Sequence, residues 1–149
     1  MSCMLRVGGV DLNVDKLLEI NLKPDSFYRK GEYRTKKTNH SSSGARYLVS
    51  NADFDSFEEQ KKDAIRFLRD NASSIREIMS IPGHEGAELD FGINRRDVLV
   101  QSDFFPAELA KLAGELGIGI TLSVYPEPEE ENMEGKPEKH PPARRGATD

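Results

Sequence analysis

Cysteine is nearly absent: Cys3 is the only one in 149 residues, which excludes an intrachain disulfide and fits a reducing compartment. Long apolar runs are missing as well. No window approaches the ~18 apolar residues of a membrane span, and the opening MSCMLRVGGVDLNVDK lacks the basic start and extended apolar stretch of a leader. These absences lead to the expectation of a soluble, cytoplasmic protein with no membrane partner. An excess of positive charge is missing too. The 26 acidic and 21 basic side chains leave a formal net charge of −5, which argues against polyanion binding by the chain as a whole but leaves room for a local basic patch.

Familiar catalytic signatures are equally scarce. There is no glycine-lysine phosphate loop and no G-x-S-x-G elbow, so HSSSGAR (residues 40–46) reads as a flexible loop rather than a nucleophile site. Gly114, Gly117 and Gly119 lie where a helix ends and a strand begins, the opposite polarity to a phosphate cradle at a helix start. Residues 82–91, PGHEGAELDF, hold H-E-x-x-E, one letter from the zinc signature H-E-x-x-H. That signature works on a helix, where positions i and i+4 share a face. Here Pro82, Gly83 and Gly86 mark a turn, and the following residues alternate as a strand. The reading is therefore a solvated turn and strand, with no metal site, no catalytic residue and no cofactor.

What is present is a regular pattern. A chain of this length can bury roughly two thirds of the surface it exposes when unfolded. Cys3 to Val7 alternates as a strand, and Asn13 caps a short helix carrying Val14, Leu17, Leu18 and Leu22, with Pro24 soon after. A polar, basic connection leads to a second strand at Ala45 to Ser50. A helical region opens with a capping box, Asp55 with Glu58 or Ser56 with Glu59, and continues to Met79 with a break near DNASS. From Gly86 to Asn94 the period is two, with Ala87, Leu89, Phe91 and Ile93 facing inward. NRRD then turns the chain and VLVQS returns it, giving an expected hairpin over residues 86–102 with Arg95 and Arg96 at its tip. A third helix starts at Pro106 and ends at Gly117, and IGITLSVY forms the last strand.

The order β-α-β-α-β-β-α-β predicts an α+β two-layer sandwich over residues 1–125, with helices on one face of a five-stranded, largely antiparallel sheet. By alternation the other face presents Arg6, Glu88, Asp90, Gln101, Thr121, Ser123 and Tyr125, joined by Arg46 if Leu48 points into the core. From Pro126 onward five of the eight prolines and no aromatic residue remain, so residues 126–149 read as a disordered, acidic Pro/Glu-rich tail. A transient screening of the basic connection by Glu127 to Glu131 is a further expectation.

Lys23 to Arg46 carries seven basic residues against two acids, with Phe27, Tyr28 and Tyr33 interspersed. Arg29, Lys30, Arg34, Lys36, Lys37 and Arg46 are its candidate binding residues, together with Arg95 and Arg96 of the following turn and Glu88 and Asp90 of the polar sheet face. Cations beside tyrosines offer a route to single-stranded nucleic acid. Glu88 and Asp90, neighbours on one strand face, could do acid–base work as a hydrolase pair, or could simply pair with Arg6 or Arg46. The leading expectation is a non-catalytic module that binds another protein, an immunity-type protein occluding a basic toxin being one version. Nucleic-acid binding and hydrolysis are the alternatives.

The first strand, DLNVDKLLEINLKPDSFYRKGE, the broken helical region and FPAELAKLAGELGIGITLSVYP together resemble the bacterial family called domain of unknown function 4279. The similarity runs from Met4 to Tyr125 and rests on Pro24 followed by Arg29, Lys30, Gly31 and Glu32, and on a helix, a glycine and a strand ending at Tyr125. Tyr47 stands where that family commonly carries a tryptophan. The resemblance implies a compact bacterial α+β domain and transfers no site residue.

Overall fold

The computed structural model describes residues 1–127. From residue 128 onward, the tail and most of its expected screening segment lie outside the described residues. β1 (Cys3–Gly9) alternates as expected, with Cys3, Leu5 and Val7 buried. α1 (Val14–Leu18) starts at Asn13, whose Oδ1 accepts from the Lys16 N–H at 3.1 Å. β2 (Ser26–Tyr28), β3 (Tyr33–Thr35) and β4 (Thr38–Asn39) occupy the stretch expected as a loop, and β5 (Ser43–Ser50) begins two residues before the expected strand.

α2 (Phe57–Asp70) and α3 (Ala72–Met79) break at Asn71, where the side-chain Nδ2 donates to the Phe67 carbonyl at 2.9 Å. The expected capping box does not form. Ser56 makes no side-chain cap bond, and the Asp55 carboxylate instead accepts from Asn94 Nδ2 at 2.8 Å. After β6 (Gly86–Asn94) comes α4 (Ala107–Glu115), then β7 (Gly119–Tyr125). α4 closes with two crossed bonds, Ile118 N–H to Ala113 O at 2.8 Å and Gly117 N–H to Gly114 O at 3.1 Å. Gly117 sits at φ +72°, the left-handed conformation this ending requires.

The main sheet runs β2-β5-β1-β6-β7, and β3 with β4 makes a separate two-stranded ribbon. Three pairings of the main sheet are antiparallel; β6 and β7 are parallel. Leu17 of α1, Ala64 and Leu68 of α2, Ile75 and Ile78 of α3, and Leu109 and Ala113 of α4 share one core with Leu5, Val7, Tyr47, Leu89 and Phe91 of the sheet. All four helices therefore cover the same face, as the α+β sandwich reading expects. Among the described residues, no helix is long and apolar enough to cross a membrane.

The expected 86–102 hairpin is absent, and Arg95 and Arg96 are not at a hairpin tip. β6 has two edges: β1 takes one, and β7, returning through α4 as a crossover, takes the other in parallel. Residues 97–102 are left without an edge to pair with and are irregular. Gln101 is consequently not on the sheet face. It braces the loop, with Oε1 accepting from the Arg96 N–H at 2.9 Å and Nε2 donating to Asp103 at 3.1 Å.

Candidate functional site

The segment that raised the zinc question folds as turn then strand. The His84 N–H donates to Ile81 O at 3.2 Å, the Glu85 N–H to Gly8 O at 3.0 Å, and the Glu85 carboxylate accepts from the Val10 N–H. His84 and Glu88 are therefore not stacked on a helix. Among the described residues no three His, Cys, Asp or Glu side chains converge. Gly83 is fixed in this turn by its φ of +84° and by Asp11, whose carbonyl oxygen would lie 2.0 Å from any added Cβ.

The uncovered sheet face is ordered in rows by the strand register. One row is Tyr28, Gly44, Gly8 and Gly86; the next is Ser26, Arg46, Arg6, Glu88 and Gly119; a third is Leu48, Met4, Asp90 and Thr121. Arg46 and Leu48 thus share this outer face, and Tyr47 turns into the core. The condition that Leu48 point into the core while Arg46 faces out fails, because residues two apart on a strand face the same way.

Glu88 and Asp90 are neighbours on this face, as expected, but differ in their bonding. Arg6 Nη2 donates to Asp90 Oδ2 at 2.6 Å, and Ser123 Oγ donates to Asp90 Oδ1 at 2.6 Å, so both carboxylate oxygens of this buried group are satisfied. Glu88 accepts only from Thr121 Oγ1, at 2.6 Å, and forms no ion pair among the described residues. Arg6 reaches diagonally past Glu88, its direct cross-strand partner, to Asp90.

The basic candidates between Arg29 and Arg46 divide into three groups. Arg29 is bound to Asp15 at 2.8 Å and lies over the Phe27 ring, and Lys30 is 3.9 Å from Asp11. Arg34, Lys36 and Lys37 project on the β3–β4 ribbon, where Tyr33 is 84% exposed, and form no ion pair among the described residues. Arg46 stands apart from both groups on the outer sheet face.

The loop after β6 holds a feature the sequence reading did not identify as a site. Leu99 is fully exposed, and Val98, Val100 and Phe104 are 53%, 74% and 71% exposed. Beneath them Arg96 Nη1 binds Asp103 at 2.9 Å, and Arg96 Nη2 donates to Ser102 O at 3.2 Å. Lys61, almost completely buried in α2, donates to Phe104 O at 2.8 Å and binds Glu58 at 2.6 Å. Burial alone would push the Asp103 carboxyl upward. Hydrogen bonds from Arg96 and Gln101 and the charges of Arg96 and Lys61 outweigh it, so the carboxyl is held below its ordinary value. An apolar tip therefore rests on a polar, interlocked base.

The geometry defines an α+β protein with a one-sided sheet, a polar outer face and two projecting segments. Comparison with protein-family models, with curated proteins and with solved structures finds no match to this chain.

Proposed function

We propose that the chain is a non-catalytic, protein-binding module of the cytoplasm that engages its partner through the loop from Arg95 to Phe104. The observation that carries this reading is the apolar triplet Val98, Leu99 and Val100, which faces solvent on an anchored base. Adjacent exposed apolar side chains on a fixed scaffold are what a partner can cover with little ordering cost. Arg95 and the Asp103-bound Arg96 supply a polar rim beside the triplet; an immunity-type role is one version of this reading. The resemblance to the bacterial domain of unknown function 4279 family belongs to the same proposal.

The test places a photo-crosslinking residue at position 100 in the native host and compares the captured protein with that captured from position 36. A partner captured at 100, lost on Leu99→Asp and retained when position 36 is changed, supports the reading. Equal capture at both positions, or capture unaffected by Leu99→Asp, overturns it.

A second reading has its own observation. The β3–β4 ribbon presents Tyr33 beside Arg34, Lys36 and Lys37, the combination of stacking ring and cations that single-stranded nucleic acid uses. Binding by this route weakens steeply with salt, and replacing Lys36 and Lys37 by Gln lowers the salt slope by about 1.4. A hydrolase based on Glu88 and Asp90 has less support, since Asp90 is held by Arg6 and Ser123.

A further inference from the structure

The outer sheet face contains a trough that lies at the opposite end of β6 from the 95–104 loop and is independent of it. Its floor is Gly8 and Gly86, cross-strand neighbours without side chains; a Cβ at Gly86 would meet nothing within 4 Å. The Tyr28 phenol lies over Gly44 and walls one side, held from behind by its stack on His40 at 4.2 Å. Arg6, Arg46 and Glu88 line the rest of a cavity of about 420 Å³.

The charges around this trough are arranged in an unusual way. Arg46 lies directly opposite Arg6 across β5 and β1, a like-charge pair that costs stability unless an anion joins it. Arg6 is already committed to Asp90. Arg46, on one side of β1, and Glu88, on the other, form no ion pair among the described residues. They are two strand spacings apart, about 10 Å between their backbones. Arg46 and Glu88, with Arg6 between them, thus stand one row along from a glycine floor that admits close approach of another backbone, a cation and an anion without ion partners among the described residues.

We infer that this trough is a binding site for a short peptide with both ends charged, its carboxylate on Arg46 and its ammonium on Glu88. Length follows from the span: three extended residues cover about 10 Å. The glycine floor accepts the peptide backbone without contact to its side chains, so recognition is of the termini rather than of sequence. The Tyr28 hydroxyl is a further donor or acceptor at the wall.

The probe is trialanine, titrated into the full chain at low ionic strength and followed by ¹H–¹⁵N NMR. Saturable shifts at Gly8, Arg46 and Gly86, lost with acetylated and amidated trialanine, support the inference. No shift at millimolar peptide, or equal binding of the doubly capped peptide, overturns it. The singly blocked peptides separate the two ends: amidation is expected to cost about tenfold through Arg46 and acetylation about tenfold through Glu88. Arg46→Gln and Glu88→Gln should reproduce those losses. Because the peptide-side arm uses the unaltered protein, a folding defect in either variant leaves the test intact.

Discussion

Two connections in this protein behave in opposite ways to their sequences. Residues 97–102 have the β-branched, apolar character of a returning strand yet form none. Residues 33–39 are polar and basic yet form a ribbon. The difference lies in what each segment finds beside it. β6 has no free edge for residues 97–102 to join, whereas Thr35 organises its own turn, with Oγ1 accepting from the Lys37 and Thr38 N–H groups at 3.2 Å and meeting Thr38 Oγ1 at 2.8 Å. Propensity proposes a strand, and an available edge or a local side-chain bond decides it.

The sharpest way to break this comparison is at the anchor of the irregular loop. Asp103→Ala removes the carboxylate that accepts from Arg96 Nη1 and Gln101 Nε2 and is expected to cost about 1.5–3 kcal/mol, read as a lowered urea midpoint. The same anchor has a pH signature. An unfolded aspartate ionises near pH ~3.9, and the folded carboxyl ionises below its ordinary value. Its contribution is therefore fully present above the unfolded value and is lost as the pH falls through the lowered folded one. Amide shifts of residues 95–104 should hold at pH 5 and move only on acidification below the usual carboxylate range. A loop that loosens above pH 5 contradicts the anchor.

At the ribbon the expected effect is smaller. Thr35→Val removes all three Oγ1 bonds from an exposed hairpin, so global stability should fall by less than about 1 kcal/mol, while amide exchange at residues 33–39 quickens and the sheet stays protected. Smallest of all is Leu99→Asp, expected within about 0.5 kcal/mol of the native stability, because Leu99 is fully exposed. A large loss there would mean that the triplet packs inside the protein rather than projecting from it.

Much of this was legible from the chain, and for local reasons. The two-residue rhythm of Ala87, Leu89, Phe91 and Ile93 fixes which face of β6 is buried, the Asn71 amide marks the helix break, and Gly117 marks the end of α4. What escaped depends on contacts distant in sequence. The three-residue β2 is a strand only because β5 lies beside it, and the parallel return of β7 is set by which edge of β6 remains open. The trough escaped although its signal was there. Arg6-x-Gly8, Gly44-x-Arg46 and Gly86-x-Glu88 each put a glycine two residues from a charge, and antiparallel pairing aligns the three. The bonding of Asp90, by contrast, needed coordinates, since Arg6 passes over its nearest carboxylate to reach it.

Cys3 sits at the centre of the sheet with no exposed surface, and burial, followed by the charges of Asp90 and Asp63, pushes its thiol far up. A sulfur that stays protonated and sealed is inert to alkylating reagents. Any cysteine introduced at the surface is then the sole reactive handle in the described part of the molecule. Dyes and spin labels can be attached at one chosen point of the native chain without first deleting a residue from its core.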